Sequence, residues 1–146
     1  MKVRDLDPIR VAKPYLEVHQ DVAEWFGDSD WISALNEPPY PHLQMLDTPG
    51  GVERTRRWLI GREVTLKLFA DFDGTPGKTQ LHDGMGVILD ALAELSEVPA
   101  EPGKPVITLV EFPGAQGYLP EPTGQMVYMS RVLFWMHPAT KEAVSP

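Results

Sequence analysis

Residues 54–71 read RTRRWLIGREVTLKLFAD, and the fold turns on how this stretch is interpreted. Trp58, Ile60, Val64, Leu66, Leu68 and Ala70 fall on one side of an extended backbone, and Glu63, Thr65 and Lys67 on the other. A period of two sustained this long predicts a strand with one face in the core. Arg54, Arg56, Arg57 and Arg62 mark its beginning as an exposed, basic end. Just upstream, 42–48 (HLQMLDT) alternates more weakly and predicts a shorter strand, closed by the turn residues Pro49-Gly50-Gly51.

Helical periodicity flanks this pair of strands on both sides. Val11, Tyr15, Val18, Val22 and Trp25 step by 4, 3, 4 and 3, one apolar stripe of a helix over 13–26 with Pro14 in its first turn and Gly27 as its stop. Trp31, Ile32, Ala34 and Leu35 suggest a short helical turn before Pro38-Pro39. Leu81, Met85, Ile88, Leu92 and Leu95 repeat the spacing and predict a second helix over 79–96, with Thr79 as N-cap. Two further strands follow. Residues 106–112 are apolar on both faces and predict an interior strand. In 125–137, Met126, Tyr128, Val132, Phe134 and Met136 share one face, and Val127, Met129, Leu133 and Trp135 the other, which is expected to meet protein.

The order helix-strand-strand-helix-strand-strand predicts an α+β fold. Its sheet is expected to be mainly antiparallel and four-stranded, with the two helices packed on one face. Residues 1–12 read as a lead-in, 13–137 as a single domain and 138–146 as a flexible tail. With 146 residues, 42% of them hydrophobic, one domain has ample material for a core. The absence of cysteine excludes disulfide and thiolate chemistry. A formal charge of −8 opposes a grip on nucleic acid by the chain as a whole. Met1 to Arg10 mixes charges of both signs and reads as neither signal nor transit peptide, and no apolar run has the length of a membrane span.

The sequence offers few candidates for chemistry. Asp71-Phe72-Asp73-Gly74-Thr75 matches the D-x-D-G-T loop of the haloacid dehalogenase superfamily, where two carboxylates at a strand end converge on magnesium and a phosphate. That family needs a doubly wound parallel sheet, and only one helix and two strands follow the motif. The same residues are ordinary turn composition. They do not open a calcium loop, because the twelfth position is His82. His82-Asp83 and His19-x-Asp21 read as isolated pairs on solvated helix surface, and Gly84-x-Gly86 as close helix packing. Arg54, Arg56, Arg57, Arg62 and Lys67 form a basic cluster that suits a solvated strand face or a subunit salt-bridge surface better than a nucleic-acid site.

Over residues 15–138 the succession of elements resembles the tail terminator proteins of long-tailed bacteriophages, particularly those infecting actinobacteria. The features are a first amphipathic helix, the strand PHLQMLDT, a Gly turn and a long strand ending VTLKLFAD. The helix TQLHDGMGVILDALAEL, the strand ITLVEF and the connection GAQGYLPEPTGQMVYMSRVLFWMHP complete it, with Tyr118-Leu119-Pro120 and Tyr128 at the family's aromatic positions. The loop over 71–78 departs from the family's tendency, and the lead-in before Pro14 is long.

The resemblance implies a structural virion protein, assembled in the host cytoplasm and placed at the head-proximal end of the tail. Such a protein forms a homohexameric ring that ends tube polymerisation and contacts the tail tube protein and head-tail connector proteins. DNA passes through the ring without sequence-specific binding. No catalysis, cofactor, metal or membrane contact is expected. Expected interface residues are Arg54, Arg56 and Arg57 on the basic strand end, Tyr118, Leu119 and Pro120 in the long connection, and Trp135 on the last strand. Rival readings are another head-tail joining protein (head completion or connector), a small magnesium-dependent phosphatase using Asp71 and Asp73, and a monomeric cellular binding module.

Overall fold

From Leu59 onward the alternating stretch forms a strand, and that strand is one half of the centre of the sheet. The structure, a computed structural model, describes residues 6–27, 30–48, 54–56, 59–99, 101–113, 116–119, 122 and 124–137, with 54–56 and 119 described as backbone. The elements are α1 (Ile9–Val18), α2 (Gln20–Phe26), β1 (Ile32–Ser33), β2 (His42–Asp47), β3 (Arg54–Arg56) and β4 (Leu59–Phe69). Then come α3 (Lys78–Ala93), a 3-10 turn (Glu94–Glu97), β5 (Val106–Glu111), β6 (Gly117–Leu119) and β7 (Val127–His137).

β4 and β7 pair antiparallel from Ile60↔Met136 to Phe69↔Val127. Along the other border of β4 lie β2 and then β3, both antiparallel to it. Along the far border of β7 lie β5 and then β6, again antiparallel. β1 adds outside β2 in parallel. The chain is therefore α+β, as expected, but its sheet is mixed and has seven strands among the described residues. The stretch expected as one strand over 54–71 supplies both β3 and β4, which pair antiparallel with each other, so β3 shares a lane with β2. The lane beyond β7 likewise has two pieces, β5 and β6, the second from the stretch expected as a connection.

The first expected helix is corrected most. His19 adopts an extended conformation (φ −69°, ψ 124°) and splits the helix into α1 and α2. The break resets the helical phase, so Ala12, Leu16, Val22 and Phe26 are buried while Val18 is 81% exposed. Val11, Tyr15 and Trp25 flank the core. The helix also starts earlier than expected. Asp7 Oδ1 accepts the Ile9 amide at 3.0 Å and caps it, Leu6 is buried, and Pro14 sits inside α1 instead of in its first turn. Residues 6–12, read as lead-in, thus belong to the packed structure.

Residues 31–35 are not helical. Trp31 stacks on Phe26 (centroids 3.9 Å apart, 9° between planes), and its carbonyl accepts the Leu43 amide, which draws the segment into β1. The second helix matches its expected stripe, with Leu81, Met85, Ile88 and Leu92 buried and Leu95 buried in the 3-10 turn. Gly77, not Thr79, stands at its N-cap, and the Gln80 side chain accepts the Gly77 amide at 3.1 Å.

Of the two doubly apolar strands, β7 is interior and β5 is not. β5 ends the strand order, and an irregularity between Ile107 and Leu109 shifts its register, leaving Leu109 47% exposed. On β7 the face away from the helices is covered by the chain itself, since Val127, Leu133 and Trp135 are all buried. Near Val127, Asn36 donates to Gln125 (2.7 Å) and Gln125 to the Ala70 carbonyl (3.0 Å), which holds the proline-rich 36–41 segment against that end of the sheet. At the other end the Trp135 ring lies on Gly61, 3.0 Å from where a side-chain carbon would stand, and its Nε1 donates to Glu111 (2.6 Å).

The two helical glycines differ. A methyl group at Gly84 would stand 2.3 Å from the Trp25 ring, whereas one at Gly86 would meet nothing within 4 Å. Close packing of α2 on α3 accounts for Gly84 only. Gly86→Ala is expected to raise the unfolding free energy by up to about 1 kcal/mol through helix propensity. Gly84→Ala should lower it by about 1–2 kcal/mol, because overpacking outweighs the same propensity gain. Chemical denaturation of the two variants checks this, and a stabilised Gly84→Ala would contradict the packing described.

Candidate interaction surface

A strand at the border of a sheet presents unpaired amides and carbonyls, which a further strand can satisfy. Here one border is β5 followed by β6, each hydrogen-bonded among the described residues on one side only, to β7. Apolar side chains gather along it. Leu109 on β5, Phe112 just beyond it and Tyr118 on β6 are 47%, 40% and 43% exposed. Between α3 and this border runs an open groove of ≈ 330 Å³ lined by His82, Leu89, Asp90, Ala93, Phe112 and Gln116.

Tyr118 is the expected interface residue that the fold places best. Its ring meets Tyr128 edge-on (5.0 Å), Lys78 Nζ stands 5.2 Å from its centroid, and its hydroxyl donates to the Lys78 carbonyl. Tyr128 in turn lies within 3.0 Å of His82 Nδ1. These contacts hold one side of Tyr118 rigidly against the N-terminal turn of α3 and leave the rest of it at the surface. Leu119 ends β6, and Pro120 lies outside the described residues. Trp135 sits on the expected face of β7 but is 8% exposed, so it acts as a core side chain of this chain. Arg54 and Arg56 stand in β3, on the opposite border of the sheet, and Arg57 lies outside the described residues.

Leu109 and Phe112 were not among the expected interface residues. The signal for them was present in Thr108 and Glu111, polar residues that an interior strand would not carry; the run ITLVEF masks them by its apolar average.

The Asp71–Thr75 loop is held together by its own acceptors. Asp71 Oδ1 takes the Phe72 amide, and Asp73 Oδ1 takes both the Thr75 amide (3.0 Å) and the Thr75 hydroxyl (2.6 Å). The Thr75 hydrogen bonds hold the Asp73 carboxyl below its ordinary range. The loop follows β4, whose strand neighbours are all antiparallel, unlike the parallel sheet that the phosphatase reading requires. No group of three or more potential ligands suited to a metal occurs among the described residues. Among them, too, no helix is long and apolar enough to cross a membrane. His19 and Tyr15 both approach Glu94 (3.5 and 3.4 Å), which ties α1 to the end of α3.

His42 is a buried titratable group. Its ring is fully covered, with Nε2 2.8 Å from Ser33 Oγ, and burial pushes its pKa below 6.5, with nearby Glu37 opposing. An unfolded chain therefore takes up a proton near pH 6.5 that the folded chain refuses. Stability is expected to be fully present above that pH, to fall as pH drops through it, and to level off below the folded-state value. His42→Gln should flatten this part of the profile in urea titrations run from neutral to mildly acidic pH. An unchanged slope would remove His42 as its source. No protein-family model matches the chain and no curated protein does, so its function has to be read from its own surface.

Proposed function

We propose that the chain is a structural subunit of a phage particle. Copies of it form a ring, most simply a hexamer, at the head-proximal end of the tail tube. The ring ends tube polymerisation and joins the tail to the head connector while DNA passes through its bore. No catalytic role is assigned to it.

The observation that carries this reading is the border formed by β5 and β6, unpaired among the described residues, with its exposed Leu109, Phe112 and Tyr118. A border of this kind invites pairing between chains, and closure into a ring removes it from water. The succession of elements over 15–138, which resembles the tail terminators, supplies the particular assembly. The four-lane antiparallel plan around β4 and β7 is compatible with it. The acidic balance, −8 per chain, would keep DNA from adhering as it passes.

Particles produced without this chain should carry tubes of uncontrolled length and heads lacking tails, as seen by electron microscopy. Tubes of normal length joined to heads would overturn the reading. Within the assembly, replacing Tyr118 and Leu119 together by alanine should weaken ring or tail contact by roughly tenfold or more, in keeping with loss of an aromatic anchor. Unchanged assembly would remove both residues from the interface.

A further inference from the structure

We propose that the two opposite borders of the sheet recognise each other between copies. β3 of one chain lies against the β5–β6 border and the adjoining face of α3 in the next. This rests on the reading of the chain as a self-assembling subunit, and adds which surfaces meet.

Both borders lack a second strand partner among the described residues: β3 pairs with β4 alone, and β5 and β6 with β7 alone. Their charges are opposite. β3 itself carries Arg54 and Arg56 and no acidic residue. Residues 78–111 contain six acidic residues against two lysines. Asp83, Asp90 and Glu97 recur every seven residues along α3 and its 3-10 turn, all exposed, and Asp90 shares the groove with Phe112. An acidic stripe thus borders the apolar β5–β6 strip.

Charge decides the geometry of association. Pairing β5 with β5 would bring acidic against acidic surface, and pairing β3 with β3 basic against basic; like charges facing each other across a contact disfavour both. The complementary match is border to opposite border, a head-to-tail contact. Repeated, such a contact closes into a ring or runs on as a filament, and it cannot stop at a symmetric dimer. Leu109 and Phe112 supply the apolar surface to be buried, and the charges supply direction and partner choice.

Two charge-reversed chains test this. One carries Asp83→Lys, Asp90→Lys and Glu97→Lys; the other carries Arg54→Glu and Arg56→Glu. Thermal melts confirm that each folds, and sedimentation velocity over a concentration series at low salt reads the mass. The wild-type chain should assemble, and less so as salt is raised. Each variant alone should assemble at least roughly tenfold more weakly. An equal mixture of the two should regain assembly, because the reversed acidic stripe of one meets the reversed basic border of the other. Variants that assemble like the wild type, or a mixture that fails to recover, would overturn the pairing even if the wild-type chain assembles and the tube-end reading stands. A wild-type chain monomeric throughout would also overturn it, leaving the tube-end reading to the particle experiment.

Discussion

The antiparallel pairing of β4 with β7 is the constraint on which the remaining structure depends. Ten consecutive residue pairs run from Ile60↔Met136 to Phe69↔Val127, and every other strand except β1 is hydrogen-bonded to one of these two. Toward the helices they present Val64, Leu66, Leu68, Val132, Phe134 and Met136, which share one core with the buried residues of α1, α2 and α3. Each large apolar side chain buried there contributes about 1.5–3 kcal/mol. Because both strands are flanked on both borders over most of their length, the sheet's free borders lie in the outer lanes.

The other face of this pair sets the limit on what the chain leaves for partners. A strand apolar on both sides has to be covered on both sides, and here one cover is made of helices and the other of the chain's own loop and edge residues. Phe69, Val127, Leu133 and Trp135 are buried without a second molecule. The greasy far face of β7 is therefore not the association surface. In the assembly proposed above that role falls to the sheet border, where Leu109, Phe112 and Tyr118 are exposed.

Much of this was legible in the sequence, for identifiable reasons. β4 and α3 have uninterrupted periods of two and 3.6, and both formed with the expected faces inward. The first helix was misread because one extended residue, His19, shifts the phase of everything after it, and nothing in EVHQDV announces the break. β5 was misplaced because average hydropathy does not reveal a register shift, whereas Thr108 and Glu111 did carry the edge signal. The exposure of Tyr118 was legible from its setting in a stiff connection. The cover over Trp135 was not, since it depends on Gly61 and Glu111, one on β4 and the other on β5, meeting the same indole.

Hydrogen–deuterium exchange of the wild-type chain, compared between dilute and assembled states, tests the central claim most directly. Amides of 109–111 and 117–119 should become protected on assembly, while those of 127–129 and 133–136 in β7, already paired on both borders, should change little. Equal exchange of 109–111 and 117–119 in the two states, with protection appearing elsewhere, would contradict the assignment of this border as the surface through which the copies join.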